Sequence, residues 1–362
     1  MIGSDTHFWR GKRVFLTGHT GFKGSWLALW LSRLGARVTG YALEPPTSPS
    51  LFELAEVETE VASIKGDVRD GNLLLSSMRA AKPEVVLHLA AQPLVRLGYQ
   101  DPVGTYSTNV MGTVQVLEAV RAIGGVRAVL NVTTDKCYEN LDREQGYSET
   151  DRLGGFDPYS NSKACSELVT SCYRSAYFPP ALHDQHGVML ASARAGNVIG
   201  GGDWARDRLL PDFFRSIVAR QPMLVRYPHA VRPWQHVLEP LAGYLLLVRR
   251  LFEGDSATAC GWNFGPQEDD AKSVHAVLDR VVQLWGGDAC WQPEEGANHP
   301  HEARYLKLDC SKAIDQLGWR RRLRFDDAID WTVAWYQGHF RGRNARSLCL
   351  DQIEHYQHLC VS

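Results

Sequence analysis

The chain has 362 residues, 44% of them hydrophobic and 22% charged, with a formal net charge of −2. These are the proportions of an ordinary globular protein longer than a single core usually serves, so two domains, or one large domain with a satellite lobe, are expected. A balance this near neutral, with no basic stripe, excludes a nucleic-acid partner gripped through its phosphates.

The N-terminal MIGSDTHFWRGK has no apolar signal-peptide core, and no run of about eighteen apolar residues follows it, so neither leader nor membrane span is expected. Lys12–Thr17 (KRVFLT) is short, apolar and β-branched, and glycines follow it, as in a buried parallel strand. Phe22 to Leu34 carries apolar residues at helical spacing and stops at Gly35. Arg37–Leu43 is a second strand, which completes a βαβ unit. Glu84–Ala90 (EVVLHLA) and Ala128–Thr133 (AVLNVT) are further buried strands, with a helix at Thr113–Ile123 between them, after Asn109. Strands alternating with helices predict an α/β, Rossmann-type doubly wound parallel sheet. Residues 1–193 form this expected dinucleotide-binding domain. Residues 194–362 are mainly a smaller C-terminal α/β lobe, some later segments of which return to the first domain. In that lobe GNVIGGGDW is loop-like, and Leu210–Ala219, Pro240–Phe252 and Phe325–Phe340 are predicted helices. The aromatic stripe Phe325, Trp331, Trp335, Tyr336 reads as core. Eight cysteines are scattered without a CxxC pair, so a zinc ribbon, a redox dithiol and a disulfide framework are not expected; buried thiols, a cytosolic setting and no metal are.

The loop Thr17-Gly18-His19-Thr20-Gly21-Phe22-Lys23-Gly24 joins the first strand to the first helix with GxxGxxG spacing. Its glycines suit a tight turn, backbone approach to a pyrophosphate and close helix–sheet packing, with the helix N-terminus facing the diphosphate. Gly18, Thr20, Gly21, Phe22, Lys23 and Gly24 are therefore candidate dinucleotide contacts. An acid that would hold a ribose hydroxyl is missing from the end of the second strand, which reads Gly40-Tyr41-Ala42-Leu43, and Glu44 comes late. No arginine stands there for a 2′-phosphate, so this motif leaves NAD and NADP both open. Asp67, in GDVRD after a third strand, is placed to meet adenine or to be a plain turn acid.

Tyr159 and Lys163, in YSNSK, are four apart and share a helix face. A lysine beside a tyrosine favours phenolate, which can take a proton from a sugar hydroxyl while that carbon is oxidised. Glycine loop and YxxxK in this order make the chain similar to the extended short-chain dehydrogenase/reductase superfamily. HLAAQ (88–92), Asn109 in TNVMGT, RAGNVIGGGDW (194–204), VRPWQHV (231–237), WNFGP (262–266) and LDCSKAIDQLGW (308–319) extend the resemblance to its nucleotide-sugar 4,6-dehydratase group. TGHTGFKG, TTDKCYEN, AGNVIGGGDW and PHEA (300–303) resemble most the branch of that group acting on CDP-glucose.

The resemblance implies NAD as cofactor, with Val68, Leu89, Ala90, Ala91 and Asn109 joining Asp67 and the glycine loop as its contacts. It implies Thr134 as hydrogen-bond partner of the reacting oxygen, Tyr159 and Lys163 as the oxidation pair, and Asp135 as the acid for a departing hydroxyl. The reaction would be oxidation at C4, loss of water across C5–C6 and return of the reducing equivalent to C6. Sister enzymes follow the aspartate with a glutamate; here Lys136 stands, the candidate C5 base if neighbouring positive charge lowers its pKa. Asn197, Arg208, Arg232 and Arg304 are the implied substrate contacts; Arg96 lies near the sugar site, and His88 is given no role. Apolar faces at Thr113–Ile123 and Ser160–Tyr173 suit self-pairing, and the resemblance implies a homodimer or homotetramer. It also implies a cytoplasmic enzyme making 3,6-dideoxyhexoses for lipopolysaccharide O-antigen. Two rivals remain: another nucleotide-sugar enzyme of the superfamily (dTDP-glucose or GDP-mannose dehydratase, or 4-epimerase), and a non-catalytic dinucleotide sensor. Asp135 opposes the epimerase, the intact Thr134, Asp135, Tyr159 and Lys163 oppose the sensor, and the missing arginines after the second strand oppose the GDP-mannose type.

Overall fold

The computed structural model describes residues 6–287, 289–294 and 306–360. Its centre is a parallel sheet. The chain lays down β1 (Arg13–Thr17), α1 (Phe22–Arg33), β2 (Arg37–Ala42), β3 (Ala62–Lys65), α2 (Gly71–Ala81), β4 (Val85–His88), α3 (Gly112–Ile123), β5 (Ala128–Val132), α4 (Pro158–Ala176) and β6 (Met189–Ala195). It continues through α5 (Leu209–Val218), α6 (Leu238–Phe252), β7 (Gly261–Phe264), α7 (Val274–Trp285), α8 (Phe325–Phe340) and α9 (Ala345–Leu359). Strand order is β7-β6-β5-β4-β1-β2-β3, with the reversal between β1 and β4. In an open α/β sheet that reversal opens a crevice beyond the strands' carboxyl ends, where ligands bind.

Local chemistry sets the elements. β4, β5 and β6 are buried on both faces and mostly apolar, with His88, Asn131, Ser192 and Arg194 as buried exceptions, the pattern of a parallel sheet covered by helices. α4 starts on Asp157, whose carboxylate accepts from the Ser160 N–H at 3.0 Å, and Pro158 takes the first helical position, where no N–H is needed. β4 is shorter than the sequence suggests, because Leu89 and Ala90 turn out of the sheet and donate their N–H groups to the Thr17 hydroxyl, at 3.1 Å each.

The smaller lobe is stitched by short strand pairs: 198–199 with 235–236, 231–233 with 271–273, and 223–225 with 291–293. α6 is almost wholly buried and packs under β5 and β6. β7 then returns to the central sheet beside β6, with Gly261 opposite Ser192. α9 packs back on α1, where Tyr356 meets Trp30 edge to face, centroids 5.7 Å apart. Phe325, Trp335 and Tyr336 are buried and Trp331 partly so, which makes the aromatic stripe core. Cys137, Cys310, Cys349 and Cys360 are buried thiols, whereas Cys172 and Cys290 are exposed. Among the described residues no helix is long and apolar enough to cross a membrane, and no cluster of ligating side chains could hold a metal ion.

Candidate active site

The glycine loop is a cradle that side chains would fill. Gly18 has φ +78°, and a Cβ there would come within 2.7 Å of the Ala90 nitrogen. A Cβ on Gly24 would stand 2.1 Å from the Gly18 carbonyl oxygen, so the helix can seat against the loop only without one. Gly21 is the N-cap of α1 and offers no side chain to the first-turn N–H groups. An uncapped helix N-terminus above a bare-backbone cradle fits a dinucleotide diphosphate. Lys23 extends from that first turn to the Tyr244 hydroxyl, 3.5 Å away. Burial, aided by Arg208 and Lys163, pushes its ammonium down to about 7. Thr20 donates to the Leu43 carbonyl at 3.0 Å, and Phe22 lies beside Gly200.

The residues expected beside adenine are engaged by neighbours. Arg69 clasps the Asp67 carboxylate from Nε at 2.9 and 3.0 Å and, with burial opposing, holds it below the usual range. Val68 is buried against Gly112. Glu44 is exposed and paired with Lys65. The Asn109 amide is spent on protein: it accepts from the Gln92 N–H at 2.8 Å and donates to the Gln92 carbonyl and the Ser162 hydroxyl at 3.0 and 2.9 Å. It thus ties the Leu89-Ala90-Ala91 loop to α4. His88 is a satisfied core residue, its ring nitrogens at 2.8 Å from Thr17 and 3.2 Å from Thr113 hydroxyls.

Thr134, Asp135, Lys136 and Tyr159 meet at the carboxyl end of β5. The Thr134 hydroxyl donates to Asp135 Oδ1 at 3.0 Å, and the Asp135 carboxylate, only 2% exposed, pairs with Lys136 Nζ at 3.4 Å. A 3-10 turn over Asp135–Cys137 makes this possible, because in a continuing strand adjacent side chains would point to opposite faces. The phenolate expected from Lys163 is not favoured in the free chain: burial raises the Tyr159 phenol, opposed by the Lys136 ammonium and a hydrogen bond with Thr134. Lys163 is buried and donates to the Val132 carbonyl at 3.0 Å; burial pushes it down to about 8, with Glu167 opposing.

One expectation reverses here. Neighbouring positive charge was to lower Lys136, yet its pKa is raised: burial lowers it, and Arg232 adds to that, but Asp135 and Tyr159 outweigh both. The free chain therefore holds Lys136 as an ammonium ion, because the turn folds it onto the carboxylate.

Of the residues expected to contact substrate, Arg208 is held by Asp203 at 2.8 Å and its charge reaches Tyr159 and Lys23. Arg232 lies on the 231–233 strand, within electrostatic reach of Lys136. Asn197 sits in the turn after β6, half-buried. Arg96 reaches across the cleft to Asp207 at 2.8 Å. Arg304 and the PHEA stretch lie outside the described residues. Asp203, inside GGGDW, was missed as the anchor of Arg208, since nothing in a glycine-rich loop marks which later side chain its acid will meet.

The profile of the family described as GDP-mannose 4,6 dehydratase matches residues 15–332. A CDP-glucose 4,6-dehydratase of Salmonella typhimurium is 54% identical over 352 residues, 97% of this chain and 98% of that one. A dTDP-glucose 4,6-dehydratase of Xanthomonas campestris is 26% identical over 89% of this chain and 92% of its own. Among solved structures, dTDP-glucose 4,6-dehydratase from Bacillus anthracis in complex with NAD aligns with TM-score 0.75 at 19% identity, covering 93% of this chain and 100% of that one. UDP-glucose 4-epimerase from Thermus thermophilus in complex with NAD aligns at 0.76 and 24%, covering 91% and 99%. At such identities the structural likeness speaks for the fold.

Proposed function

The chain belongs to the nucleotide-sugar dehydratase family described as GDP-mannose 4,6 dehydratase, and from that premise we propose that it converts CDP-glucose to CDP-4-keto-6-deoxyglucose with NAD as cofactor. The observation that carries this reading is the near full-length likeness to the Salmonella CDP-glucose 4,6-dehydratase, about twice as identical as the dTDP-glucose relatives. NAD, when bound, supplies the electron-pair acceptor for C4 and the donor for C6, so no net redox change occurs. The glycine cradle and the open N-terminus of α1 would hold its diphosphate, with Lys23 and the backbone at Leu89–Ala91 beside it.

The chain's own groups then divide the proton chemistry. Tyr159 takes the proton of the sugar 4-hydroxyl, and the Thr134 hydroxyl orients that oxygen. Moving one proton within the Asp135–Lys136 pair turns carboxylate and ammonium into a carboxylic acid and a free amine, without any exchange with solvent. The amine removes the C5 proton, made acidic by the 4-keto group, while the acid protonates the leaving 6-hydroxyl. Lys136 returns its proton to C5 once water has gone, and the proton held by Tyr159 replaces the one Asp135 gave up. The raised Lys136 is thus the resting half of an internal acid–base pair. Arg208 and Arg232 face the substrate diphosphate in this reading, as bidentate donors suited to it.

The copy-to-copy surface is the groove lined by Pro102, Val103, Tyr106, Val110, Met111 and Cys165, flanked by exposed Leu168 on α4. A second copy of the chain is its occupant. The enzyme works in the cytoplasm, and its product feeds dideoxyhexose synthesis for surface polysaccharide. The test is incubation with NAD and, separately, CDP-glucose, dTDP-glucose, GDP-mannose and UDP-glucose, followed by the base-induced absorbance of the 4-keto-6-deoxy product. Product from CDP-glucose alone is expected; product from none overturns the enzyme reading, and product from another sugar overturns the base assignment.

A further inference from the structure

Directly beneath the Thr134–Lys136 turn lies a buried ion pair that the chemistry above does not use. Tyr159, Lys163 and Glu167 follow at four-residue steps on one face of α4. Glu167 is 3% exposed and Arg194 of β6 is 5% exposed, and they pair at 2.9 Å. The other partners of the Glu167 carboxylate are the Thr133 hydroxyl and the Ser192 hydroxyl, the latter at 2.6 Å. Arg194 also donates to the Tyr138 hydroxyl at 2.7 Å, which in turn donates to Asn263 of β7 at 2.7 Å. The catalytic turn is thus fastened on both sides: Thr133 before it is bound to Glu167, and Tyr138 after it is bound to Arg194. A buried carboxylate and guanidinium cost more in lost hydration than an apolar pair of like volume, so such a pair is weak support for stability alone. Its placement points to another task.

Lys163 lies one turn from Glu167 and contacts the same segment through the Val132 carbonyl, 3.0 Å away. The titratable groups around Lys163 are Tyr159 and Glu167 on its own helix, Cys137 from the turn, His88 from β4 and Lys23 from α1, and burial raises the Tyr159 phenol so that it is neutral in the free chain. His88 is buried and pushed down to about 3, and the Cys137 thiol is raised by burial, so neither carries charge near neutrality. Among these groups Glu167 is the anion.

We propose that Glu167 is a positioning residue for the dehydration, holding the Thr133–Lys136 turn against the catalytic helix and supplying the negative charge that keeps Lys163 an ammonium ion. This rests on the reading of the site as a dehydratase.

The decisive variants are Glu167→Gln, Glu167→Asp and Thr133→Val, compared with wild type by kcat and KM for CDP-glucose across pH and by titration of Lys163 in isotope-labelled protein. Glu167→Gln removes the charge, so kcat is expected to fall about 10- to 100-fold with KM little changed. Burial then acts on Lys163 with its main opposing charge gone, so both its titration and the alkaline limb of kcat move to lower pH. Glu167→Asp keeps the charge and restores the limb, while the shorter side chain leaves kcat reduced. Thr133→Val cuts one strap and lowers kcat without moving the limb. If Glu167→Gln does not fold, Glu167→Asp and Thr133→Val decide: wild-type kcat in both overturns the proposal. So does a Glu167→Gln protein that folds and has wild-type pH dependence. A wild type inert toward CDP-glucose defeats the functional reading instead, and the Lys163 titration in Glu167→Gln then decides the inference by itself.

Discussion

The Asp135–Lys136 pair makes opposite demands on two substitutions. Asp135→Asn keeps the shape but cannot donate a carboxylic proton, so dehydration is expected to fall about 10²- to 10⁴-fold with substrate affinity retained, measured as product formation against equilibrium binding. Lys136→Met removes the cation that lowers the Tyr159 phenol. Tyr159 must then titrate at higher pH, and because the proposed mechanism uses its phenolate for C4 oxidation, the acid limb of that step, read as NADH formation in a single turnover since loss of the C5 base slows elimination, should move to higher pH. An unmoved limb would show that Lys136 does not act on Tyr159. The residue types of this site were legible in the sequence, since TTDK and YSNSK keep their meaning wherever a Rossmann strand ends. What the sequence hid was direction and company. Lys136 was expected to be lowered and is raised, because only the turn at 135–137 brings it onto its neighbour's carboxylate. Glu167 and Asp203 matter through side chains 27 and 5 residues away.

Among the elements, the junction of β1 and α1 is the most tightly specified. Gly24→Ala must push the helix off the Gly18 carbonyl, so a stability loss of about 1–3 kcal/mol is expected together with weakened NAD binding, measured by denaturant unfolding and calorimetric titration. The face formed by residues 102–111 and the outer side of α4 carries Val103, Met111 and Leu168 at 75%, 50% and 58% exposure. Leu168→Glu places a charge in that face and, if the proposed pairing of copies uses it, should convert the proposed oligomer to monomer in sedimentation while leaving the fold intact; an unchanged species would overturn that interface. Periodicity located the first strands and the helices at 22–34, 113–123, 210–219, 240–252 and 325–340 to within a few residues, because each lies across a strongly patterned stretch, but not those at Gly71–Ala81 and Val274–Trp285. β7 has only four residues, and no alternation marks GWNF as a sheet strand rather than a loop. α9 mixes polar and apolar positions, and its covering of α1 depends on Trp30 and Tyr356, far apart in sequence.

Acid should unfold the whole molecule earlier than its near-neutral charge suggests. Burial pushes His88 and His236 down to about 3 and His19 to about 4, all from 6.5. The folded state therefore binds fewer protons than the unfolded chain, and the stability these residues contribute is present above pH 6.5 and lost as pH falls toward their folded values. Glu239, pushed up to about 7 by burial from 4.5, acts the other way between those values. Three histidines against one glutamate leave the net slope of two groups, at most about 3 kcal/mol per pH unit. Thermal unfolding should drop steadily between pH 6.5 and 4.5, and a flat Tm would refute the buried, neutral state of these rings.

The return of β7 to the sheet has a further consequence. An edge that β6 would otherwise present to solvent is closed by a strand the chain supplies between segments of the lobe, paired from Gly261–Ser192 to Phe264–Ala195. A chain cut after residue 193 would not release a free cofactor-binding fragment; it would uncover that edge together with the apolar underside that α6 covers, and it should aggregate. The two halves consequently share one unfolding transition, so a ligand held by either half protects both from proteolysis and heat.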